Sequence, residues 1–441
     1  MIHHNGKSVW SACIKRSTES PKLTGHKKTD VLIIGGGMAG ILTAYKLKEA
    51  GISSIVVEAK TIGSGTTQNT TAKITAQHGL IYADIIKRYG IEKAQLYYNA
   101  NTNAISDFRV LSERYPCDFE SKTAFVYTTE SRAKIEREAG AYLKIGIPAK
   151  IEDKLPLPIS VQSACSMENQ AQFNPLKLLY ALTDEIDIYE GSHIRRIDGQ
   201  HAIVENGRVS AKHIVLATHY PMINISGLFF MKLYQHRSYV IALENAPDIN
   251  GMYLDEKENG FSFRNYQDLL FIGGGDYKTG HGNKQGIGYD VLRDLAKSAY
   301  PSSIEKYHWA TQDCMSLDSI PYVGRLNAQR RHIYVATGFN KWGMTGSMVA
   351  AGIIRDLIVS GKSEYESLYS PQRSMFTKQL AVNIGSAAVG LLRLGGPRCS
   401  HMGCKLKWNS SEKTWDCPCH GSRFDKQGHV IDNPAKSGLR R

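Results

Sequence analysis

The sequence predicts an α/β nucleotide-binding domain that carries an inserted α+β unit and ends in a small, truncated all-β module. Three observations predict it. Residues 30–60, DVLIIGGGMAGILTAYKLKEAGISSIVVEAK, read as a buried strand, a glycine turn, a helix and a second buried strand, the β-α-β order that a dinucleotide fold requires. Between Gln235 and Gly280 four runs, QHRSYVIALE, GMYLD, FSFRNY and DLLFIGGGDYKTG, alternate like strands of one antiparallel meander. Near the C-terminus, four of the eight cysteines crowd into the 21 positions from Cys399 to Cys419.

Composition sets the outer bounds. A chain of 441 residues, 42% apolar and with 40 glycines, is long enough for two or three domains with buried cores. The net charge of +13 is spread along the chain without a basic run, which argues against a nucleic-acid arm and for a basic surface around anionic ligands. Met1 to Asp30 is polar and carries no signal-like apolar core, so a cytoplasmic location is expected. Residues 381–396, AVNIGSAAVGLLRLGG, are too short and too interrupted to span a bilayer and read as a linker or a packed helix. Cys13, Cys117, Cys165 and Cys314 are scattered, whereas the clustered four favour a metal or cofactor over a disulfide framework in a reducing compartment.

Within the first unit, Gly35-x-Gly37-x-x-Gly40 falls where strand hands over to helix. Gly35 permits the tight turn, Gly37 lets the backbone approach a pyrophosphate, and Gly40 lets the helix lie close on the sheet. Eighteen residues beyond Gly40, Glu58 ends the second strand and can accept hydrogen bonds from a ribose diol. Residues 61–79, TIGSGTTQNTTAKITAQHG, form a hydroxyl-rich loop able to wrap more of a large cofactor than NAD needs. Residues 331–358, RHIYVATGFNKWGMTGSMVAAGIIRDLI, add a strand, a Gly-rich turn and an Ala-rich helix, a second cradle of backbone N–H groups. Two cradles so far apart point to one long cofactor.

With HIVLATHYP (213–221) and LDSIPYVG (317–324), these segments resemble the FAD-dependent oxidoreductases of the D-amino-acid-oxidase superfamily over roughly residues 30–360. The resemblance implies a Rossmann-like FAD domain in which Gly35, Gly37, Gly40, Glu58, Ser64, Thr66, Thr67, Ile194, Gly338, Gly343, Met344 and Thr345 line the cofactor, although Ile194 and Met344 read equally well as plain core. It implies a discontinuous layout, with 28–80, 160–220 and 310–360 in the FAD domain and 81–159 and 221–309 in a substrate (cap) domain. A small-molecule substrate is then expected between cap and flavin, where Arg264 and Tyr253 from the cap and His78 from the FAD side are the catalytic candidates, with Tyr239 and Lys341 nearby. Arg264 could clamp a carboxylate bidentately or simply face solvent. Cys314 is a candidate for flavin attachment or a small buried thiol.

The cysteine cluster has its own pattern. Cys399-x-His401 and, after fifteen intervening residues, Cys417-x-x-His420 place two thiols and two imidazoles on two loops, a spacing that resembles the Rieske [2Fe–2S] signature, in which two Cys hold one iron and two His the other. The resemblance implies a disulfide between Cys404 and Cys419, which stand where Rieske proteins of the cytochrome bc type tie their cluster loops together, and CPCHGSRFD runs on in the same way. A zinc site has the same ligand types but leaves the extra cysteines and His-Gly-Ser unexplained. The whole chain is similar to a bacterial family of fused flavin–Rieske oxidoreductases in ATHYP, GFNKWGMTGS, WNSSEKTWDCPCHGS and the N-terminal VWSACIKRS. It departs from that family in the strands expected before the first ligand loop. Residues 398–441 therefore read as an incomplete module whose base sheet is largely absent, joined through a tether at 361–397 and leaning on metal, disulfide or FAD domain.

The expected function is a flavin-dependent oxidoreductase that oxidises a small molecule, an amine or amino acid among the candidates, and passes electrons between FAD and a Rieske centre in either direction. A one-electron redox partner is expected, with neither nucleic acid nor a membrane span. Two readings stay open beside it: an oxidase with a vestigial or zinc-bound C-terminal module, and a non-catalytic flavin and iron-sulfur redox sensor.

Overall fold

Three sheets organise the computed structural model, which describes residues 4–439 apart from 17, 224, 282–287 and 394. Parts of the expected cap (221–309), tether (361–397) and module (398–441) fall outside those residues. In the first sheet Gly25–Ile34 runs parallel to Gly207–Leu216 on one side and to Ser54–Val57 on the other. Ile333–Thr337 and Asp187–Tyr189 extend it in parallel outward, and Tyr322–Arg325 closes one edge antiparallel. Both faces are covered, so Val31 and Ile33 bury themselves in one core and Leu32 and Ile34 in the other. The helices Met38–Glu49 and Gly343–Val359 pack on each other over the first of these cores, which brings the two glycine-rich segments, 300 residues apart, to the same end of the sheet.

The second sheet takes most of the strands expected in the cap. Its order runs from Ile304–Ser316 through Leu233–Glu244, Leu269–Lys278, Ser262–Tyr266, Met252–Asp255 and Glu120–Thr128 to Ser163–Gln172 and Lys73–Ile74. Here the layout differs from expectation. Ser163–Gln172, expected in the FAD domain, pairs antiparallel with Glu120–Thr128, and Lys73–Ile74 and the 310–316 end of Ile304–Ser316 are cap strands as well. Ser163–Gln172 and the end of Ile304–Ser316 are buried over most of their length, so no period-two alternation in the sequence shows which sheet will take them.

The third sheet is small and antiparallel: Lys407–Asn409, Thr414–Asp416, Arg423–Phe424 and Val430–Asp432. The module is thus less stripped than expected, although its own apolar core is little more than the cysteines with Leu406, Phe424 and Ala435. Nor is the preceding segment a free tether. Glu366–Tyr369 and Lys378–Leu392 are helices; the second is capped by Thr377 Oγ1, which accepts from the Leu380 N–H at 3.0 Å, and packs on the short helix Phe229–Lys232.

Candidate functional site

At the end of Gly25–Ile34, Gly37 is the N-cap of Met38–Glu49 and makes no side-chain hydrogen bond itself; Thr67 Oγ1 accepts from the Met38 N–H at 3.0 Å. A Cβ on Gly40 would stand 1.9 Å from the Gly35 carbonyl oxygen, so the helix can cross the turn only there. Glu58 is fixed at the strand end by the N–H groups of Gly36 and Lys60, each at 2.7 Å. Opposite, Gly343 starts its helix with open space on its Cβ side. These two open helix starts and the clamped carboxylate fit the pyrophosphate and ribose of FAD. Thr66 Oγ1 lies 3.4 Å from His219 Nδ1. Other expected lining residues are engaged elsewhere: Ser64 Oγ donates to Thr61 O at 2.7 Å, the Thr345 hydroxyl both accepts from and donates to the Thr75 main chain at 3.0 Å, and Ile194 and Met344 sit in apolar cores.

Alternation along two cap strands divides the chemistry beyond the cradle. Leu233–Glu244 and Ile304–Ser316 pair with His236 opposite Asp313, Arg237 opposite Gln312 and Ser238 opposite Thr311; cross-strand partners share a face, and successive residues alternate. His236, Ser238, Thr311 and Asp313 therefore look toward the core shared with the FAD domain, where Val240 and Trp309 from the same face are buried. Gln235, Arg237, Tyr239 and Gln312 look the other way.

On the first face Lys341 pairs with Asp276 and donates to the Glu258 carbonyl at 3.1 Å, and Ser238 Oγ donates to Asp313 Oδ2 at 3.0 Å. Burial raises the Asp313 carboxyl to about 6 although Lys341 pulls it down, and burial drops the His236 imidazole to about 3. Asp276 Oδ1, Thr311 Oγ1 and His236 Nδ1 are buried without hydrogen-bond partners among the described residues. Buried polar atoms are normally paired, so these three can take a polar ligand, as can Arg264 Nε and Nη2, which are unpaired in the same way.

The expected catalytic residues land differently. Met252 pairs with Arg264 and Tyr253 with Phe263, so Arg264 and Tyr253 point to opposite faces. Tyr253 stacks on Phe125 at 4.8 Å and donates to Ile249 O at 2.9 Å, which makes it cap core. Arg264 is fully buried, enclosed by the rings of Trp10, Tyr266 and Phe271, and donates to Ala72 O at 3.2 Å; it anchors the hydroxyl-rich loop from the cap side. His78 stacks on Trp342 at 4.6 Å and hydrogen-bonds the Tyr97 hydroxyl at 2.6 Å, and burial holds it neutral, at about 3. Tyr239 donates to Glu412 at 3.0 Å, on the module side. Burial pushes the Cys314 thiol up to about 12, a poor nucleophile for flavin attachment.

In the C-terminal module, the Cys404–Cys419 disulfide ties the two ligand loops and the His401 and His420 ring centroids lie 5.0 Å apart. A hydrogen bond from Cys417 lowers the Cys399 thiol to about 6, helped by the Ser422 hydroxyl and the His401 and Met402 main chain, and Cys417 is raised in turn. His420 Nδ1 is buried with no hydrogen-bond partner among the described residues, while the Phe230 main chain accepts from the same ring. A metal-bound imidazole is fixed in this way, with one nitrogen held by a carbonyl and the other left for the metal. Cys417 Sγ also lies within 4.8 Å of the Cys404 and Cys419 sulfurs, but the disulfide engages those two and leaves Cys399 and Cys417 as thiols. Cys399, Cys417, His401 and His420 fit a Rieske centre.

The module sits on the second face of the cap strands. Gln235 Nε2 donates to the carbonyls of His420 and Asn433 at 2.8 and 2.9 Å, and Gln312 Nε2 to Gln235 Oε1 and Gly421 O at 2.7 and 2.8 Å. Gly421 has φ +82°, and a Cβ there would approach Gln235 to 2.6 Å, so glycine lets the ligand loop come this close. Asn433 Nδ2 donates to Thr218 O at 3.0 Å. Further along, Glu412 enters between Arg237, which grips both its oxygens, and Arg423 at 2.7 Å. Burial would raise this carboxyl, but the two guanidiniums override it and hold it at about 2.

Family comparison agrees with this geometry. The FAD dependent oxidoreductase family matches residues 30–357. The chain belongs to that family. The Rieske [2Fe-2S] domain matches residues 360–441, so this FAD dependent oxidoreductase has FAD and a [2Fe–2S] cluster as its cofactors. It is 34% identical to YhfW of Bacillus subtilis, described as a Rieske 2Fe-2S iron-sulfur protein, over 502 aligned residues that cover 99% of this chain and 98% of the relative. Its fold is shared with L-proline dehydrogenase from P. horikoshii (TM-score 0.66, 19% identity, 80% of this chain and 98% of that one). Glycine oxidase from Geobacillus kaustophilus is similar to the same degree (0.67, 17%, 79% and 100%). Among the described residues no helix is long and apolar enough to cross a membrane.

Sequence reasoning missed Asp276, Asp313, Gln235 and Gln312. Asp276 follows Gly273-Gly274-Gly275 inside a strand, and glycines there mark close approach of another group. Nothing local distinguishes the two glutamines.

Proposed function

We propose that the protein oxidises a small amine or amino acid on one face of the cap sheet and exchanges the electrons with the Rieske centre on the other. The observation that carries this reading is the alternation of Gln235 and His236, which gives the ligand loop and the polar face a common strand. Lys341 offers a cation, and Asp276 and Asp313 offer anions, on the pocket side, a pairing that complements the carboxylate and ammonium of a zwitterion. The two structural neighbours act on proline and glycine by their names, which supports the substrate class. Burial, with Arg264 and Lys341 close by, lowers the Lys73 ammonium to about 7, so near neutrality it can hold a proton released from the substrate nitrogen. FAD, when bound, takes the two electrons of the oxidation, and the cluster exchanges them singly. The scattered cysteines, free as thiols, support a cytoplasmic location.

The test is anaerobic addition of amines and amino acids to the holoprotein while flavin and cluster absorption are followed together. One of them should bleach the flavin and then reduce the cluster in a single sequence, and His420→Ala should keep the first event and lose the second. A cluster that stays oxidised while the flavin turns over would sink the coupling.

A further inference from the structure

The helix Lys378–Leu392 is built inside out. Its inward stripe is Leu380, Asn383 and Gly390. Asn383 donates to the Met231 carbonyl at 3.3 Å, Ser386 Oγ accepts from Lys278 at 3.2 Å, and Gly390 lies so close to the disulfide that a Cβ would meet Cys419 Sγ at 2.5 Å. The outward face carries Val382, Ile384, Val389, Leu391 and Leu392, exposed by 44 to 80%. A helix that serves only its own core shows the reverse pattern. Half of the large exposed hydrophobic residues found among the described residues fall between Phe376 and Met402, so this is one patch rather than scattered exposure.

Charge says what covers it. From Thr377 to Ser411 the sequence has five Lys and Arg residues and no Asp or Glu. Lys378, Arg393 and Arg398 are exposed around the apolar face. A second copy docked through a two-fold axis would set these like-charged rims against each other. A protein partner would be expected to find an aromatic anchor or a pocket at the centre, whereas the helix presents aliphatic side chains only and the aromatic residue of the patch, Phe376, stands outside it at its edge.

We propose that this face binds an anionic lipid surface, with the helix lying in the plane of the interface rather than crossing it. Fifteen residues are too few to span, but aliphatic side chains inserted among acyl chains and basic residues set among the headgroups are the elements of interfacial binding. The disulfide-tied ligand loop, packed behind Gly390, then lies against the membrane-facing helix.

The holoprotein is tested by flotation with vesicles of phosphatidylglycerol and phosphatidylcholine, against phosphatidylcholine alone, at about 0.1 M salt, where charge is only partly screened. Binding should need phosphatidylglycerol and fall as salt rises. Val389→Glu with Leu392→Glu should cut it about tenfold or more, while flavin and cluster spectra stay unchanged because both side chains are exposed. Absence of binding to anionic vesicles overturns the proposal. So does binding that the double substitution leaves intact, which would place it on another basic surface, or a concentration-dependent dimer that the substitution dissociates.

Discussion

Gln235 donates a hydrogen bond to the main-chain carbonyl of His420 across 185 residues of sequence, at 2.8 Å. A side chain of the second sheet thus holds the backbone of a residue that fits as an iron ligand. The flavoprotein part supplies the scaffold that the module's small core cannot.

Gln235→Leu leaves the carbonyls of His420 and Asn433 without that donor, at about 1–3 kcal/mol for each buried group left unpaired. The variant should lose iron at lower temperature than the parent and show a broadened signal from the reduced cluster, with flavin content unchanged. Iron and flavin assayed on the same heated samples provide the check; parallel loss of both would mean that the glutamine supports the whole fold instead.

Gly37→Val should give folded, colourless protein. A Cβ at Gly37 has only Thr67 Oγ1 within 4 Å, at 3.2 Å, so the helix survives, but the branched side chain occupies the approach of the pyrophosphate. Flavin absorbance beside a circular dichroism spectrum decides, and full flavin retention would refute the placement.

Acid should release the Glu412 contact. Its folded carboxyl lies at about 2, below the ordinary value of 4.5, so its contribution is complete above pH 4.5 and is lost as pH falls toward 2. The shift corresponds to about 3 kcal/mol. Glu412→Gln should remove that slope and weaken the seat of the module at pH 7, read as a lower unfolding midpoint for the cluster band. An unchanged acid slope in the variant would assign it to another group.

Asp313 gives the opposite sign. Burial raises it to about 6 from 3.8, so the folded protein holds the proton more tightly and stability declines as pH rises from about 4 to 6, by about 3 kcal/mol in all. Asp313→Asn should flatten this window and stabilise the protein at pH 7. Urea unfolding at pH 4.5 and 7 compares the two.

Much of this molecule was legible because its signals are local. Asp30 to Lys60 carries strand, turn, helix and strand in one stretch, and Cys399 to His420 carries a ligand spacing that few other sites share. What could not be read depends on pairing between distant segments. Tyr253 and Arg264 both look like cap-strand candidates until their registers show them on opposite faces. Gln235 and Gln312 are ordinary polar residues until Gly421 arrives beside them. The segment of the helix Lys378–Leu392 reads as either a linker or a packed helix because the side it buries is the less apolar one.

The strand Leu233–Glu244 bears on what changes this protein can tolerate. Deleting or inserting one residue there would turn Gln235 toward the face of Asp313 and His236 toward the loop of His420, because side chains alternate with a period of two. A single frame error would disturb both faces of the sheet at once. Substitutions along the strand can be absorbed one at a time, whereas its length is fixed jointly by the two faces it serves.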